Sequence, residues 1–412
     1  MSCSPSIASA DTPKTILAHA RTFPAGLRFC HFTVAHSELK SRSFHRICLP
    51  LAQHGAHVTY ISPARAACVD RVHFVSIPKR ASRVRRFISH WTVLRELLRA
   101  QPEIYHFQDP ELLPLAFALK LFFKKRVIYD AYEDFPSMAR GSSSIPKPLR
   151  AVAANVVAFT ERLAAEIFDG IITADPFTLR RLAKNGSSRK LVFSNFPNLA
   201  LFPPPQHSAK PFDLVYRGGL SDRAGTYDLL HALHLLKSRS RSLRLLLIGY
   251  FDNAAAEAIL RERIERLGLA TNVEISGRIP HEDMAAALAQ ARIGICPLRA
   301  TPKFSLNIPV KVFEYWACGL PVVASDLRPI RPYFRTANAG VLFAPGDTSG
   351  LAKSIEWLLD HPRTAAAMGS NGRTAIATRF NNEPEISRLE TFLGQIASPQ
   401  KPETLRRDVT HV

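Results

Sequence analysis

Lys311 and Glu314 stand three residues apart in a short apolar run that a proline opens and a glycine closes, a setting in which charged side chains need a reason. Asn307 can cap a helix there, Pro309 suits its first turn, where a missing N–H costs nothing, and Gly319 can end it in the left-handed conformation. Lys311 and Glu314 then share one side of a helix whose free N–H groups and positive dipole end attract anions. A carboxylate beside a phosphate site is the chemistry for holding ribose hydroxyls. The same pair also fits a solvated helix face. A second candidate is Gly218-Gly219, which follows the apolar run 214–217 and precedes Thr226, the start of a leucine-rich helical pattern. Strand, glycine turn and helix let backbone N–H groups approach a phosphate closely, although that order also makes a plain tight connection.

The elements that must position these groups alternate along the whole chain, strand-like runs with amphipathic ones, the pattern of parallel sheets covered by helices. Strands are expected at 28–34, 57–62, 72–77, 104–107, 126–131, 170–174 and 191–194. A second series is expected at 214–217, 243–248, 273–276, 293–296, 322–325 and 340–343, with helices such as 43–54, 91–100 and 148–168 between. The proline-rich segment 195–207 separates the series and reads as a hinge, because it can continue neither a helix nor a central strand. The expected division is a flexible tail over 1–26, an N-terminal domain over 27–200, a C-terminal domain over 201–384, a helix over 385–397 and a disordered tail over 398–412.

A chain of 412 residues that is 46% hydrophobic can bury two substantial cores. Cys3, Cys30, Cys48, Cys68, Cys296 and Cys318 show no metal or redox spacing, which fits a reducing cytoplasm. The start lacks the pattern of a secretory signal, and no run of 18 apolar residues occurs, so the expectation is a cytoplasmic protein, soluble or peripheral at a membrane. The formal net charge of +20 calls for an acidic partner. Lys79, Arg80, Arg83, Arg85 and Arg86, interleaved with Phe87, Ile88 and Trp91, would suit an anionic membrane surface, and equally a solvated helix start. No nucleic-acid reading motif accompanies the charge.

The segment 305–326 resembles the nucleotide-sugar signature of family 4-like glycosyltransferases, whose GT-B fold is an α/β architecture of two Rossmann-like doubly wound domains facing a central cleft. The resemblance implies that Glu314 grips the donor ribose, while a second glutamate usual in the family falls on Leu306. The glycine loop resembles the family's diphosphate loop, whose usual cation position is Ala224, with Arg223 as the neighbouring substitute; Arg278 falls where the family sets a loop against the nucleobase, or is a surface arginine. Donor-binding candidates are therefore Gly218, Gly219, Arg223, Arg278, Asn307, Lys311 and Glu314. In the first half, 31–42, 104–113 and 127–136 resemble the family's N-terminal motifs and place polar residues past strand ends, where open α/β sheets build sites. They supply His36, Arg42, Asp109 and Glu133 on the acceptor side and His106 and Tyr132, with Lys311 and Glu314, as catalytic candidates. His106 also fits a core histidine and Asp109 a helix cap. Lys40, Gln108 and Tyr132 depart from the family's Asp, His and His.

The resemblance implies a retaining glycosyltransferase that moves a sugar from a UDP- or GDP-sugar to a glycan or lipid-linked acceptor. No Asp-x-Asp element is present for a divalent ion, so neither metal nor cofactor is expected. The departures keep open a non-catalytic nucleotide-sugar-binding partner protein, and a sugar-nucleotide epimerase on the same fold.

Overall fold

Short β-branched and aromatic runs become strands covered on both faces, which is why they read as nearly continuous apolar stretches rather than alternating ones. In the computed structural model, which describes residues 26–35, 41–63, 71–79, 83–142, 145–182, 188–203 and 210–398, they form two parallel sheets. His36, Lys40, Arg80 and the segments 1–25 and 399–412 lie outside the described residues, as do the side chains of Arg83, Arg85 and Arg86. The first sheet comprises β1 (Arg28–Phe32), β2 (His57–Ser62), β3 (Val72–Ser76), β4 (Ile104–Phe107), β5 (Arg126–Ala131), β6 (Gly170–Thr173) and β7 (Arg189–Val192) in the order 3-2-1-4-5-6-7. The second comprises β8 (Phe212–Gly219), β9 (Leu245–Tyr250), β10 (Val273–Gly277), β11 (Ala291–Cys296), β12 (Val322–Ser325) and β13 (Gly340–Phe343) in the order 10-9-8-11-12-13. Each sheet is wound in both directions from its first strand, so the ends of the strands at that reversal open a crevice suited to a ligand.

Eight of the thirteen strands start or end one or two residues off the sequence expectation, β1, β3, β6, β7, β8, β9, β10 and β11. β8 runs on through Gly218 and Gly219, which pair in register with Gly249 and Tyr250, so the diglycine completes a strand edge instead of opening a loop. β7 begins two residues before 191, because Arg189 and Lys190 pair with Gly170 and Ile171 despite their charge. The described part of the proline-rich segment, 195–203, is anchored more firmly than a hinge suggests. Phe196 and Phe202 are buried in the second core, and Asn198 accepts a hydrogen bond from the Ala200 N–H at 3.0 Å.

The last helix, Asn382–Ala397, returns to the first domain. Its apolar stripe, Ile386, Leu389, Leu393 and Ile396, joins the core beneath β1, β2 and β5. Glu385 accepts the Ser194 N–H at 2.7 Å and Glu390 meets His54 at 2.6 Å, which fixes the helix at both ends of that contact. Cys30, Cys48, Cys296 and Cys318 are free and buried. Among the described residues no helix is long and apolar enough to cross a membrane.

Candidate active site between the domains

The wall contributed by the second domain is built at the end of β8. Phe212 and Leu214 to Tyr216 are apolar and buried in the core, then Arg217 breaks the run and Gly218 turns with φ 140°, a backbone region that favours glycine. Tyr216 Oη donates to the Gly219 carbonyl at 2.8 Å, and Lys311 Nζ lies 4.1 Å from the Tyr216 ring centroid. A Cβ on Gly218 would sit 2.9 Å from Lys311 Nζ, so the ammonium is held against the bare backbone edge. Tyr315 Oη accepts the Arg217 N–H at 2.8 Å and donates to the Ile295 carbonyl at 3.2 Å, pinning the helix Val310–Ala317 across β8 and β11. Tyr250 packs against Gly219, and the exposed Arg278 guanidinium covers the Tyr250 ring at 4.3 Å. Lys311, the diglycine edge and Arg278 are therefore brought together. The neighbouring Gly249 is as tightly placed, since a Cβ there would lie 1.8 Å from the Gly218 carbonyl oxygen. Gly249→Ala is expected to cost at least about 1–3 kcal/mol in a denaturant melt, because backbone must move to admit the methyl group.

Glu314 is 1% exposed and lies between two arginines, Arg217 Nη1 at 3.0 Å from Oε2 and Arg46 Nη2 at 3.6 Å from Oε1. Burial opposes its charge, but Arg217, Arg46, His281 and Lys311 together hold its carboxyl below the ordinary value. Glu314 Oε2 and Arg46 Nε and Nη2 have no hydrogen-bond partner, so a buried ion pair here keeps unused donor and acceptor capacity. Arg46 comes from the other domain, in the π-helical stretch Ser41–Cys48, and burial foremost pushes its pKa down to about 10. Neither arginine was singled out from sequence. Arg217 could have been, as a lone charge between an apolar strand and two glycines; Arg46 has no local signal.

Arg223 is 60% exposed and pairs with Asp252, two residues past Tyr250, at 3.3 Å. Arg223→Ala is expected to leave nucleotide affinity within about twofold, as for an exposed ion pair, whereas Arg217→Met is expected to lower it about tenfold or more by removing a charged donor. Isothermal titration with UDP and GDP checks both. Asn307 is not the cap, since the helix starts after Pro309 in an extended conformation; Asn307 Oδ1 is buried without a partner instead.

The first domain's candidates divide into a buried network and a cleft wall. Arg42 grips Asp130 with two 2.8 Å bonds and donates to the Phe193 carbonyl and Asn195 Oδ1, which leaves its guanidinium committed to tying strand ends together. Gln108 Nε2 donates to Asp130 at 2.7 Å. His106 is fully buried, 2.8 Å from the His31 ring nitrogen, and burial foremost lowers its pKa to about 3. It is a neutral core histidine behind the cleft. Asp109 accepts from Thr33 Oγ1 and from the Val34 N–H at 3.2 Å, so it holds the β1 turn and does not cap the helix after it.

Tyr132 and Glu133 do reach the cleft. With Asp175, Asn195, Asn307 and Phe313 they line a cavity of about 110 Å³ between the domains. Glu133 Oε2 meets Lys303 Nζ across that gap at 3.0 Å, and burial foremost pushes the Tyr132 phenol well up, so it stays a neutral donor. At a second contact across the gap the His45 and His281 rings lie 5.3 Å apart. Burial foremost lowers His281 from 6.5 to about 4, so its contribution to stability is full above pH 6.5 and is lost as pH falls toward 4. The lowered Glu314 acts in the same direction farther down, losing its contribution as pH falls through its folded value. Melting temperature is thus expected to fall with pH below 6.5, and His281→Gln to flatten the upper part of that slope.

A carboxylate flanked by arginines and an ammonium on a glycine edge lie at a polar cleft between two doubly wound parallel sheets. Residues 211–361 match the model of the family described as "Glycosyl transferases group 1". An amylovoran biosynthesis glycosyltransferase of Erwinia amylovora is 27% identical over 189 residues, which cover 46% of this chain and 46% of that protein. The chain thus matches somewhat under half the length of such relatives. Among solved structures, a sucrose-phosphate synthase from Thermosynechococcus elongatus superposes with a TM-score of 0.73 at 18% identity over 90% of this chain and 99% of that one. The Anabaena HepE protein in complex with UDP-glucose gives a TM-score of 0.72 at 14% identity over 89% and 100%. At these identities the likeness shows the fold. Residues 211–361 are thus similar to the group 1 glycosyltransferases, and the chain shares the two-domain GT-B-like fold of these solved structures.

Proposed function

We propose that the chain is a retaining glycosyltransferase that moves a sugar from a UDP- or GDP-sugar to a hydroxyl of a glycan or lipid-linked acceptor in surface polysaccharide or glycolipid synthesis. The observation that carries this reading is Glu314, buried and charged beside the diglycine edge, ion-paired with Arg217 and Arg46 but with no aligned hydrogen bond to its Oε2. Ribose hydroxyls would use it, and the diphosphate would lie toward Lys311, Arg217 and the backbone of Gly218 and Gly219. The sugar C1–O bond to the phosphate breaks, the acceptor oxygen bonds to C1, and the acceptor proton passes to the leaving phosphate oxygen. Charge grows on the departing diphosphate, and the cations on the β8 edge stabilise it without reorganising. Such a scheme requires neither a carboxylate nucleophile nor a divalent ion. HepE, solved with UDP-glucose, and the amylovoran glycosyltransferase support donor class and product class respectively.

A second reading, a non-catalytic nucleotide-sugar-binding partner, is favoured by Tyr132 in the cleft and by the burial of His106. One experiment separates them. The full chain is screened with sugar nucleotides by thermal shift, and those that bind are incubated with pooled glycan and lipid acceptors while free nucleoside diphosphate is measured. Release dependent on acceptor supports transfer. Binding without release supports the second reading, and no binding of any sugar nucleotide overturns both.

A further inference from the structure

Ten of the fourteen large apolar side chains exposed among the described residues lie between Trp91 and Phe159, so the outer surface of the first domain is far more apolar than that of the second. The densest part is the helix Arg150–Ile167. Val152, Val156 and Phe159, with Leu149 just before the helix, recur at helical spacing and are 55–66% exposed, while Ala154, Glu161, Ala164 and Ala165 on the opposite side are buried. Met138 joins them from the adjoining helix Phe135–Gly141, whose Arg140 guanidinium reaches Asn155 at 3.4 Å on the exposed side. An apolar stripe of this extent left facing water marks a contact surface.

The charge around it selects the contact. From Phe135 to Thr160 the sequence has no Asp or Glu, yet it has Arg140, Lys147 and Arg150. The acids that bound this stretch are turned inward: Asp134 caps its helix through Ser137, and Glu161 is fully buried with Arg181 and Tyr129. Arg162 on the same helix is exposed as well, so the rim is mostly positive, and the one exposed acid of the helix, Glu166, lies about two turns beyond Phe159. A second copy docking on the same face by a two-fold axis would set that rim against itself, whereas a layer of anionic headgroups would neutralise it.

We propose that the helix Arg150–Ile167 lies on an anionic bilayer, with Leu149, Val152, Val156 and Phe159 among the acyl chains and Arg140, Lys147 and Arg150 at the headgroups. This contact uses a different part of the sequence from the basic 79–86 stretch and would hold the interdomain cleft beside the membrane, where a lipid-linked acceptor resides. It does not depend on turnover, and the test reads binding alone.

The full chain is sedimented with vesicles of phosphatidylcholine, with and without about 30% phosphatidylglycerol, at low and high salt. The wild type is expected to bind the anionic vesicles and to release as salt rises. Val156→Glu with Phe159→Glu is expected to lower that partitioning by about tenfold or more, and Lys147→Glu by about fivefold, with melting temperature and thermal shift by sugar nucleotides unchanged. Two results would overturn the proposal. One is vesicle binding by the double variant equal to wild type, which would move the contact to another surface such as 79–86. The other is no vesicle binding, together with a dimer in light scattering that the double variant splits, which would make a second copy the occupant.

Discussion

Glu314→Gln is expected to destabilise the protein by roughly 3–5 kcal/mol in a denaturant melt, because it strands the buried Arg46 guanidinium without its counter-charge. The same change is expected to weaken sugar-nucleotide binding about a hundredfold, since hydrogen bonds from ribose hydroxyls to a carboxylate are roughly twice as strong as those to an amide. Stability and binding can be separated. Replacing the pair together, Arg46→Met with Glu314→Leu, removes both buried charges and is expected to restore most of the melting midpoint, as apolar replacements of buried ion pairs commonly do. It should not restore binding. If Glu314→Gln is destabilised but binds sugar nucleotides as the wild type does, the carboxylate is a structural group only and the donor site lies elsewhere.

Lys311→Met is the second large effect, this time on rate. The substitution keeps an unbranched stem against Tyr216 and removes the charge that rests on the Gly218 edge. Loss of one preorganised donor to a developing oxyanion costs about 10²–10³ in kcat, so single-turnover release of nucleoside diphosphate should slow by that factor. The donor KM should change less, because the charge on the diphosphate is greatest in the transition state. Lys311→Arg is not expected to rescue the rate. A planar guanidinium is wider than an ammonium, and a group only 2.9 Å from the Cβ position of Gly218 leaves no room for it without tilting away from the edge. Unchanged single-turnover rates in Lys311→Met would remove the β8 edge from the mechanism.

How far the site could be read beforehand follows from the range of the forces involved. The fold was legible: β2, β4, β5, β12 and β13 fall on the expected residues, since a strand buried on both faces needs a continuous apolar run that turn residues interrupt. Glu314, Lys311 and the diglycine were legible too, because helix, stop and strand follow one another within a few residues and each type suits its place. Asn307 misled. Its side chain could cap a helix one turn earlier, but the extended Pro309 delays the helix and leaves the Asn307 oxygen in the interdomain cavity.

The amino-acid order on its own therefore determined the two wound sheets, the helix that carries Glu314 and the presence of a diglycine after the first strand of the second sheet, because hydrophobic period and backbone freedom are properties of neighbours in the chain. Only the tertiary structure decided which cations meet Glu314, that Arg42 and His106 are enclosed while Tyr132 and Glu133 reach the cleft, and which apolar helix face is left bare. Charge pairing across two domains and burial on one side of a helix depend on distances in space, and residues such as Arg46 and Val156 look the same in sequence whether they are covered or exposed.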